Sequence, residues 1–496
     1  MSDATVVPGF ARARERVGPV PVAIKLYQGV GALPGSHKDF AFNVCLLLFY
    51  SQVLGLPATW VSIALAIALV ADAVTDPLVG SFSDSFRSRL GRRHPLMYVA
   101  ALPLGMAMYA LFSPPASVAA SSGALLAWLL AATLAVRLIF TFFVVPWNAL
   151  ASEYSTDYEE RTSIITYRYL VGWIGGATFA LLMYSFIFPP TEEQTNGLLV
   201  RENYATFALV IASLMSLWAL ITTHMTRSQV AFLPQPAGPP ARFRFGTALH
   251  EVRLALANDN FRRLFLAVLL FAAIDGVGKT FDPYMNIFFW EFTTDDLRFF
   301  SATIIGAFLA FGAVPLLQVR YQKQTILVAT LSAVMINGML RVIFRFIEVW
   351  PPNQDPLLLP MLIAHSAVQV FLLTAAGIMF ASMIADIVDE QEARVNLRQE
   401  GVFSSALGFS AKATSSVGLI AGGLLLDHVI GFPLEAQPGA VAQETLVRLA
   451  IVDGILLHLL FFVPIALLLR YDLTRSRLRL IQADLRARAQ RDEARD

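Results

Sequence analysis

Two aspartates, Asp72 and Asp76, stand four residues apart in an otherwise apolar run of the chain. On a helix that spacing puts both carboxylates on one face, about 6 Å apart at Cβ. In low-dielectric surroundings two like charges so close do not both stay ionised unless a cation sits between them or one takes a proton. That is the chemistry of a site for sodium, lithium or protons. Arg137 offers an alternative, since it could neutralise the pair in a buried network. Other apolar runs also carry ionisable residues: Lys38 and Asp39, Arg168, then Asp275, Lys279 and Asp282, and finally Lys412. Asp275, Lys279 and Asp282 follow i, i+4, i+7 and so line one helix stripe, with Gly276 and Gly278 permitting a break or a close approach. Either Lys279 neutralises one aspartate and leaves the other to bind substrate or a proton, or the stripe is a self-contained salt bridge.

The elements that position these residues are not those of a soluble protein. Of 496 residues, 56% are apolar or aromatic and 15% are charged, against about a quarter charged in soluble domains. A globule so poor in charge could not coat itself, and no long stretch has ordinary surface composition, so the bulk must lie in lipid. A bilayer core of about 30 Å needs about 20 apolar residues per helix. Twelve stretches qualify, near 26–54, 58–82, 96–114, 122–150, 164–188, 205–226, 262–290, 298–318, 325–347, 357–384, 403–430 and 447–469. The fold class expected is therefore an all-α membrane protein of twelve transmembrane helices. An ionisable group at the centre of such a helix costs about 2.5 to 3.5 kcal/mol, so each charge named above needs a partner or a task. Net charge is +1, which gives no global attraction to nucleic acid. Cys45 is the single cysteine, so no disulfide forms within the chain, and it reads as a core residue.

Basic residues set the orientation. Twenty-seven Lys and Arg fall in the tails and the even-numbered loops, against Arg201, Arg298 and Arg448 in the odd loops, which places both termini in the cytoplasm. The first twenty residues carry Arg12, Arg14 and Arg16 without an apolar h-region, and read as a cytoplasmic tail rather than a secretory signal. Between the sixth and seventh spans, residues 227–260 are rich in Pro, Gly and Arg and form a cytoplasmic linker. The organisation is then a tail (1–25), a six-helix half (26–226), the linker, a second six-helix half (261–470) and a cytoplasmic tail (471–496). Two such halves are the plan of a rocking transporter with a mid-membrane site. The last tail alternates Leu and Arg as an amphipathic helix does at a membrane face.

At this point the residues carry a resemblance. Asp72-Ala-Val-Thr75-Asp76-Pro77-Leu-Val-Gly80, followed by Asp84 and by Arg87-Ser-Arg89-Leu-Gly91-Arg92-Arg93-His-Pro95, resembles the second span of the glycoside-pentoside-hexuronide:cation symporters. These form the melibiose-carrier-like branch of the major facilitator superfamily. Three further motifs follow the family's order: Lys38-Asp39-Phe40-Ala41; Val145-Pro146-Trp147-Asn148-Ala149-Leu150 with Asp157, Arg161 and Arg168; and Ala385-Asp386-Ile387-Val388-Asp389 with Arg398, Glu400-Gly401 and Lys412. The resemblance implies the major facilitator fold in the cytoplasmic (inner) membrane. It implies cation-coupled transport of a sugar, glycoside or uronide, with H+ or Na+ as coupling ion, no cofactor, and a monomer. It implies a cation site of Asp72, Thr75, Asp76 and Thr141. Substrate would meet Asp39, Lys38, Asn148 and Arg168, with Lys412 closing the network from the second half. Gly80, Asp84, Arg87, Arg89, Asp386 and Arg398 would gate by latching neighbouring helices.

One position departs from the pattern. Melibiose-type members have an acidic residue two positions before the proline of span four, where this chain has Val144. Arg137, two turns earlier, adds a positive charge instead, which moves the expectation toward a proton and toward an acidic or amphiphilic substrate. A lysolipid carrier on the same fold is the alternative substrate class, and a non-transporting receptor a third. Trp147 is suited to stacking on a sugar ring, or else packs at a helix crossing beside Pro146. His365 and His458 read as helix-bonded core residues. The run Ala273 to Thr280 matches a relaxed phosphate loop but lies inside an apolar helix. Metallopeptidase, zinc and serine-hydrolase signatures are missing, so the chain does not read as an enzyme.

Overall fold

A computed structural model describes residues 18–155, 157–192, 194–233, 258–395 and 400–493. Every regular element among them is helical. An apolar segment in lipid has no water to satisfy its backbone, and the helix meets that need within one segment. Eleven helices are long and apolar enough to cross a membrane. Outward side chains agree with a lipid-facing surface: Val99, Met106, Leu316 and Val319 are each more than 70% exposed.

The chain divides into two compact units, described here separately. The first holds residues 18–56 and 67–233, the second 57–66 and 258–493. The division falls in residues 234–257 of the expected linker, which lie outside the described residues, as does the tail before Gly18.

The first unit contains α1 (Val22–Val30), α2 (Leu33–Phe40), most of α3 (Ala58–Ser85), α4 (His94–Phe112), α5 (Ser122–Glu153), α6 (Tyr158–Leu182) and α7 (Asn203–Met225). The expected first span is helical but broken. After α2 it passes through π-helical turns at Ala41–Cys45 and Phe49–Val53, so it is not among the eleven long helices. Wide turns of this kind interrupt a helix's register and recur at functional sites. Ser36 donates to the Gly172 carbonyl at 2.9 Å and ties α2 to α6. Asp157 caps α6 by accepting from Glu160 N at 2.8 Å. Phe49, Phe112, Phe188, Tyr204 and Phe207 form the aromatic core.

The second unit contains α8 (Asp259–Tyr284), α9 (Ile304–Arg320), α10 (Lys323–Phe346), α11 (Leu358–Val395), α12 (Glu400–Leu424), α13 (Gln443–Ala450), α14 (Phe462–Leu469) and α15 (Arg475–Glu493). The opening turns of α3 belong with it. Asp427 accepts from Ala58 N and Thr59 N, at 3.2 and 2.7 Å, and so caps those turns. Helices α8 and α12 approach backbone to backbone. A Cβ on Gly276 would stand 2.6 Å from the Ser415 carbonyl, and one on Gly418 2.2 Å from that of Ala273. The close approach expected of Gly276 is therefore present. The last helix, α15, rests on its own unit: Arg477 pairs with buried Glu390 at 3.1 Å and Gln482 donates to Asp389 at 2.9 Å.

Candidate functional site

Helix α3 carries Asp72, Thr75 and Asp76, and α5 carries Arg137 and Thr141 facing them. The Thr141 hydroxyl oxygen stands 2.9 Å from Asp72 Oδ1, 3.1 Å from Asp76 Oδ1 and 3.0 Å from the Arg137 carbonyl oxygen. A hydroxyl has one proton to donate, so the acceptors outnumber the donor at this point. Arg137 Nη1 reaches Asp72 Oδ2 at 3.3 Å, with both side chains nearly closed off from solvent. Arg137 thus joins the pair, as one of the two sequence readings has it, through Asp72. Thr75 donates to the Asp72 backbone carbonyl at 3.2 Å.

Arg137 also links this cluster to the first span. Its guanidinium lies 5.0 Å from the Phe42 ring centre, and Lys38 Nζ lies 5.5 Å from the same ring and 5.2 Å from Phe140. Lys38 pairs with Asp39 at 2.7 Å; Asp39 is 63% exposed while Lys38 is 13% exposed. Asp39 acts electrostatically on Arg137, as Asp72 and Asp76 do. The arginine therefore stands in the fields of both groups of carboxylates.

Arg168 on α6 donates to the Asn148 side-chain carbonyl, and its Cζ lies 3.9 Å from the Trp147 ring centre. The indole is only 6% exposed and donates through Nε1 to the Gln28 carbonyl at 2.9 Å, while Gln28 returns a bond to the Trp147 carbonyl at 2.8 Å. Trp147 is thus a floor beneath the arginine, with its other surroundings in the core. The Nε atoms of Arg137 and Arg168 are buried without a hydrogen-bond partner. Such donors call for an acceptor. Val144 packs on the apolar cluster around Phe143 and Trp147.

The helix-end latch differs from the expected one. Asp84 does pair, but with Arg93 at 2.5 Å; Arg93 also contacts Glu153 at 2.8 Å and Ser83 at 2.9 Å, and Arg92 reaches Glu153 at 2.8 Å. Arg87 reaches only the Asp84 backbone carbonyl, at 3.5 Å, and Arg89 is exposed. The ion pairs at this helix end are made by Arg92, Arg93 and Glu153, whereas α3 ends at Ser85 and the connecting turn leaves Arg87 and Arg89 exposed. The Arg-Arg pair lay in the quoted motif; Glu153, far along the chain, gave no signal. Gly80 has its nearest neighbour, Val145, 3.7 Å from a built Cβ, which is ordinary contact. In the second unit Asp386 accepts from Lys323 at 2.7 and 2.8 Å. Arg398 lies outside the described residues.

Lys412 is half-buried on α12. On α8, Lys279 pairs with Asp275 at 2.6 Å, which is the self-contained bridge, and Asp282 stands apart from it. His365 donates to the Asn337 carbonyl and His458 to the Asp453 carbonyl, each at 2.9 Å, as helix-bonded core residues do.

The family described as MFS/sugar transport protein matches residues 27–475. The isoprimeverose transporter of Lactiplantibacillus pentosus is 22% identical over 402 residues, covering 79% of this chain and 78% of its own. The uncharacterized symporter YnaJ of Bacillus subtilis (strain 168) is 24% identical over 451 residues, covering 88% and 90%. Among solved structures, the nucleoside transporter NupG superposes with a TM-score of 0.57 at 14% identity, covering 91% of this chain and 99% of that one, a likeness of fold. With the family matched over nearly its whole length, the chain belongs to the MFS/sugar transport proteins and is a multi-pass membrane transporter rather than an enzyme.

Proposed function

We propose that the protein is a cation-coupled symporter of a sugar, glycoside or uronide, built on twelve spans and working by alternating access in the cytoplasmic membrane. The observation that carries this reading is the Thr141 hydroxyl crowded by two carboxylates and a carbonyl within 3.1 Å, with Arg137 joining that cluster to Asp39. The coupling ion, H+ or Na+, occupies the oxygens of Asp72, Asp76 and Thr141, with Thr75 holding the Asp72 backbone. There it competes with Arg137 for Asp72. As the cation neutralises the carboxylates, the field of Arg137 shifts toward Asp39 and Phe42, where the substrate binds.

On the substrate side, Asp39 accepts from sugar hydroxyls, and Lys38 and Asn148 complete the polar wall. Arg168, braced on Trp147, donates to a ring hydroxyl or to a uronide carboxylate. A planar guanidinium with a free Nε suits both kinds of acceptor.

The test is uptake into vesicles of a labelled panel of glycosides, uronides and a lysolipid, with and without sodium and pH gradients. Gradient-driven accumulation of a glycoside or uronide is expected. In Asp72→Asn and Asp76→Asn it should be lost while exchange of labelled for unlabelled substrate persists. Accumulation of the lysolipid alone would overturn the sugar reading, and undiminished accumulation in both variants would overturn coupling at this pair.

A further inference from the structure

Arg137 is loosely held for a charge inside a span. Its bond to a carboxylate, Nη1 to Asp72 Oδ2, is 3.3 Å long, against about 2.7 to 2.9 Å for a strong charge-assisted pair. A guanidinium can grip a carboxylate through two parallel bonds, yet here one nitrogen alone reaches Asp72. The Nε is buried without an acceptor. On its other side the guanidinium meets a ring: Cζ lies 5.0 Å from the centre of Phe42, within the reach of a cation on an aromatic face. Arg137 thus stands between two seats, the Asp72 carboxylate on α3 and the Phe42 ring on the first span.

The second seat is closed and shared. Phe42 lies in the π-helical turn Ala41–Cys45 and is 9% exposed. Lys38 Nζ is 5.5 Å from the same ring and 5.2 Å from Phe140, while pairing with Asp39 at 2.7 Å. Among the described residues Phe42 is the one ring that both cations face. The contacts Asp39 to Lys38, Lys38 to Phe42, Phe42 to Arg137, Arg137 to Asp72 and Asp72 to Thr141 therefore run without a gap from an exposed carboxylate to a buried hydroxyl. All of these residues belong to the first unit. An ion among the oxygens of Asp72, Asp76 and Thr141 and a guanidinium on Asp72 are two positive charges a few ångströms apart, which repel strongly away from water.

We infer that Arg137 is a tethered counter-cation with two seats. With no ion bound it stands in for one at Asp72; when the ion binds, the guanidinium withdraws onto Phe42. Phe42 is the positioning residue of this exchange. Lys38, facing the same ring, is repelled as Arg137 arrives and shifts its charge toward Asp39 and the substrate wall. The exchange rests on the reading of Asp72, Asp76 and Thr141 as the coupling site, and adds to it an internal competitor and the place to which that competitor retires.

Thermal unfolding of the full-length protein in detergent reads ion binding without a transport substrate. Na+ is varied at fixed pH with choline holding the ionic strength, and pH is varied at fixed salt. The readout is the half-saturating concentration of whichever ion stabilises the native protein. Arg137→Gln removes the competitor and is expected to lower that value by about tenfold or more. Phe42→Leu keeps apolar bulk but removes the second seat, and is expected to raise it roughly 2- to 30-fold; Phe42→Tyr stays near the native value. In the Arg137→Gln background Phe42→Leu has no further effect. If Arg137→Gln does not fold, the contrast between Phe42→Leu and Phe42→Tyr gives the decision, and equal values overturn the exchange. So does an Arg137→Gln variant that binds the ion no more tightly, or a Phe42→Leu shift that is the same with and without Arg137. Those outcomes leave the coupling site standing where Asp72→Asn/Asp76→Asn abolishes the stabilisation. Stabilisation that survives in Asp72→Asn/Asp76→Asn, or a native protein stabilised by neither ion, overturns the coupling site and the exchange with it.

Discussion

Arg168 Cζ lies 3.9 Å from the centre of the Trp147 ring, whose own N–H is committed to the Gln28 carbonyl. The indole is therefore a platform for the guanidinium, and under the proposed function it would act on substrate through Arg168. Stacking of this kind contributes about 0.5 to 2 kcal/mol, which at about 1.4 kcal/mol per tenfold is roughly 2- to 30-fold in affinity. Arg168→Lys keeps the charge but loses the planar fork, and is expected to raise KM within that range. Trp147→Phe should retain most affinity and Trp147→Ala should not. Initial-rate uptake against substrate concentration checks this, and equal effects from the two Trp147 variants would refute the platform role.

Thr141 joins both carboxylates through one hydroxyl. Thr141→Val removes it at nearly constant volume. A bond to a charged group is worth about 1.5 to 3 kcal/mol, so the cation concentration for half-maximal uptake should rise about 10- to 150-fold. Thr141→Ser should stay near the native value. The readout is uptake as a function of sodium or proton concentration at saturating substrate.

The latch separates residues that the motif alone does not. Arg93 and Glu153 side chains are 6% and 10% exposed. Arg93→Ala removes one of the two arginines on Glu153 and the one that also holds Asp84 and Ser83, while Arg92 stays on Glu153, and is expected to cost about 1 to 3 kcal/mol. Arg89→Ala, on an exposed turn, should stay within about 0.5 kcal/mol. Thermal unfolding in detergent compares them, and equal melting of the two variants contradicts the assignment.

Two glycines make a further contrast. A Cβ on Gly338 would stand 1.8 Å from His458 Nε2, whereas one on Gly80 meets nothing nearer than 3.7 Å. The His458 ring is fixed by its bond to the Asp453 carbonyl and cannot swing away without losing it. Gly338→Ala is expected to destabilise by about 1 to 3 kcal/mol, while Gly80→Ala is tolerated. The same melting measurement distinguishes the two outcomes.

Much of the architecture was legible because lipid simplifies the reading. Each span satisfies its own backbone, so a run of apolar residues suffices to locate it, and most long helices fall within a few residues of the expected stretches, whereas the one expected at 357–384 runs on to Val395. The first span shows the limit: its apolar run was plain, but its breaks at residues 31–32 and its π-helical turns were not, since those depend on what packs against them. The resemblance grouped Asp72, Asp76 and Thr141, and the four-residue spacing on one helix put the two carboxylates beside a common hydroxyl.

Residue types and spacing alone determined a polytopic helical protein, which charges lie in lipid, and which share a helix face. Tertiary structure alone decided the partners across helices: Arg93 with Asp84 and Glu153, Arg168 over Trp147, Arg341 with Asn286. The reason is geometric. Periodicity reports the face of one helix, whereas the rotation, tilt and depth that bring two faces together arise from packing between helices distant in sequence. A π-helical stretch such as Ile451–Leu457 also shifts that face in a way a 3.6-residue period does not register.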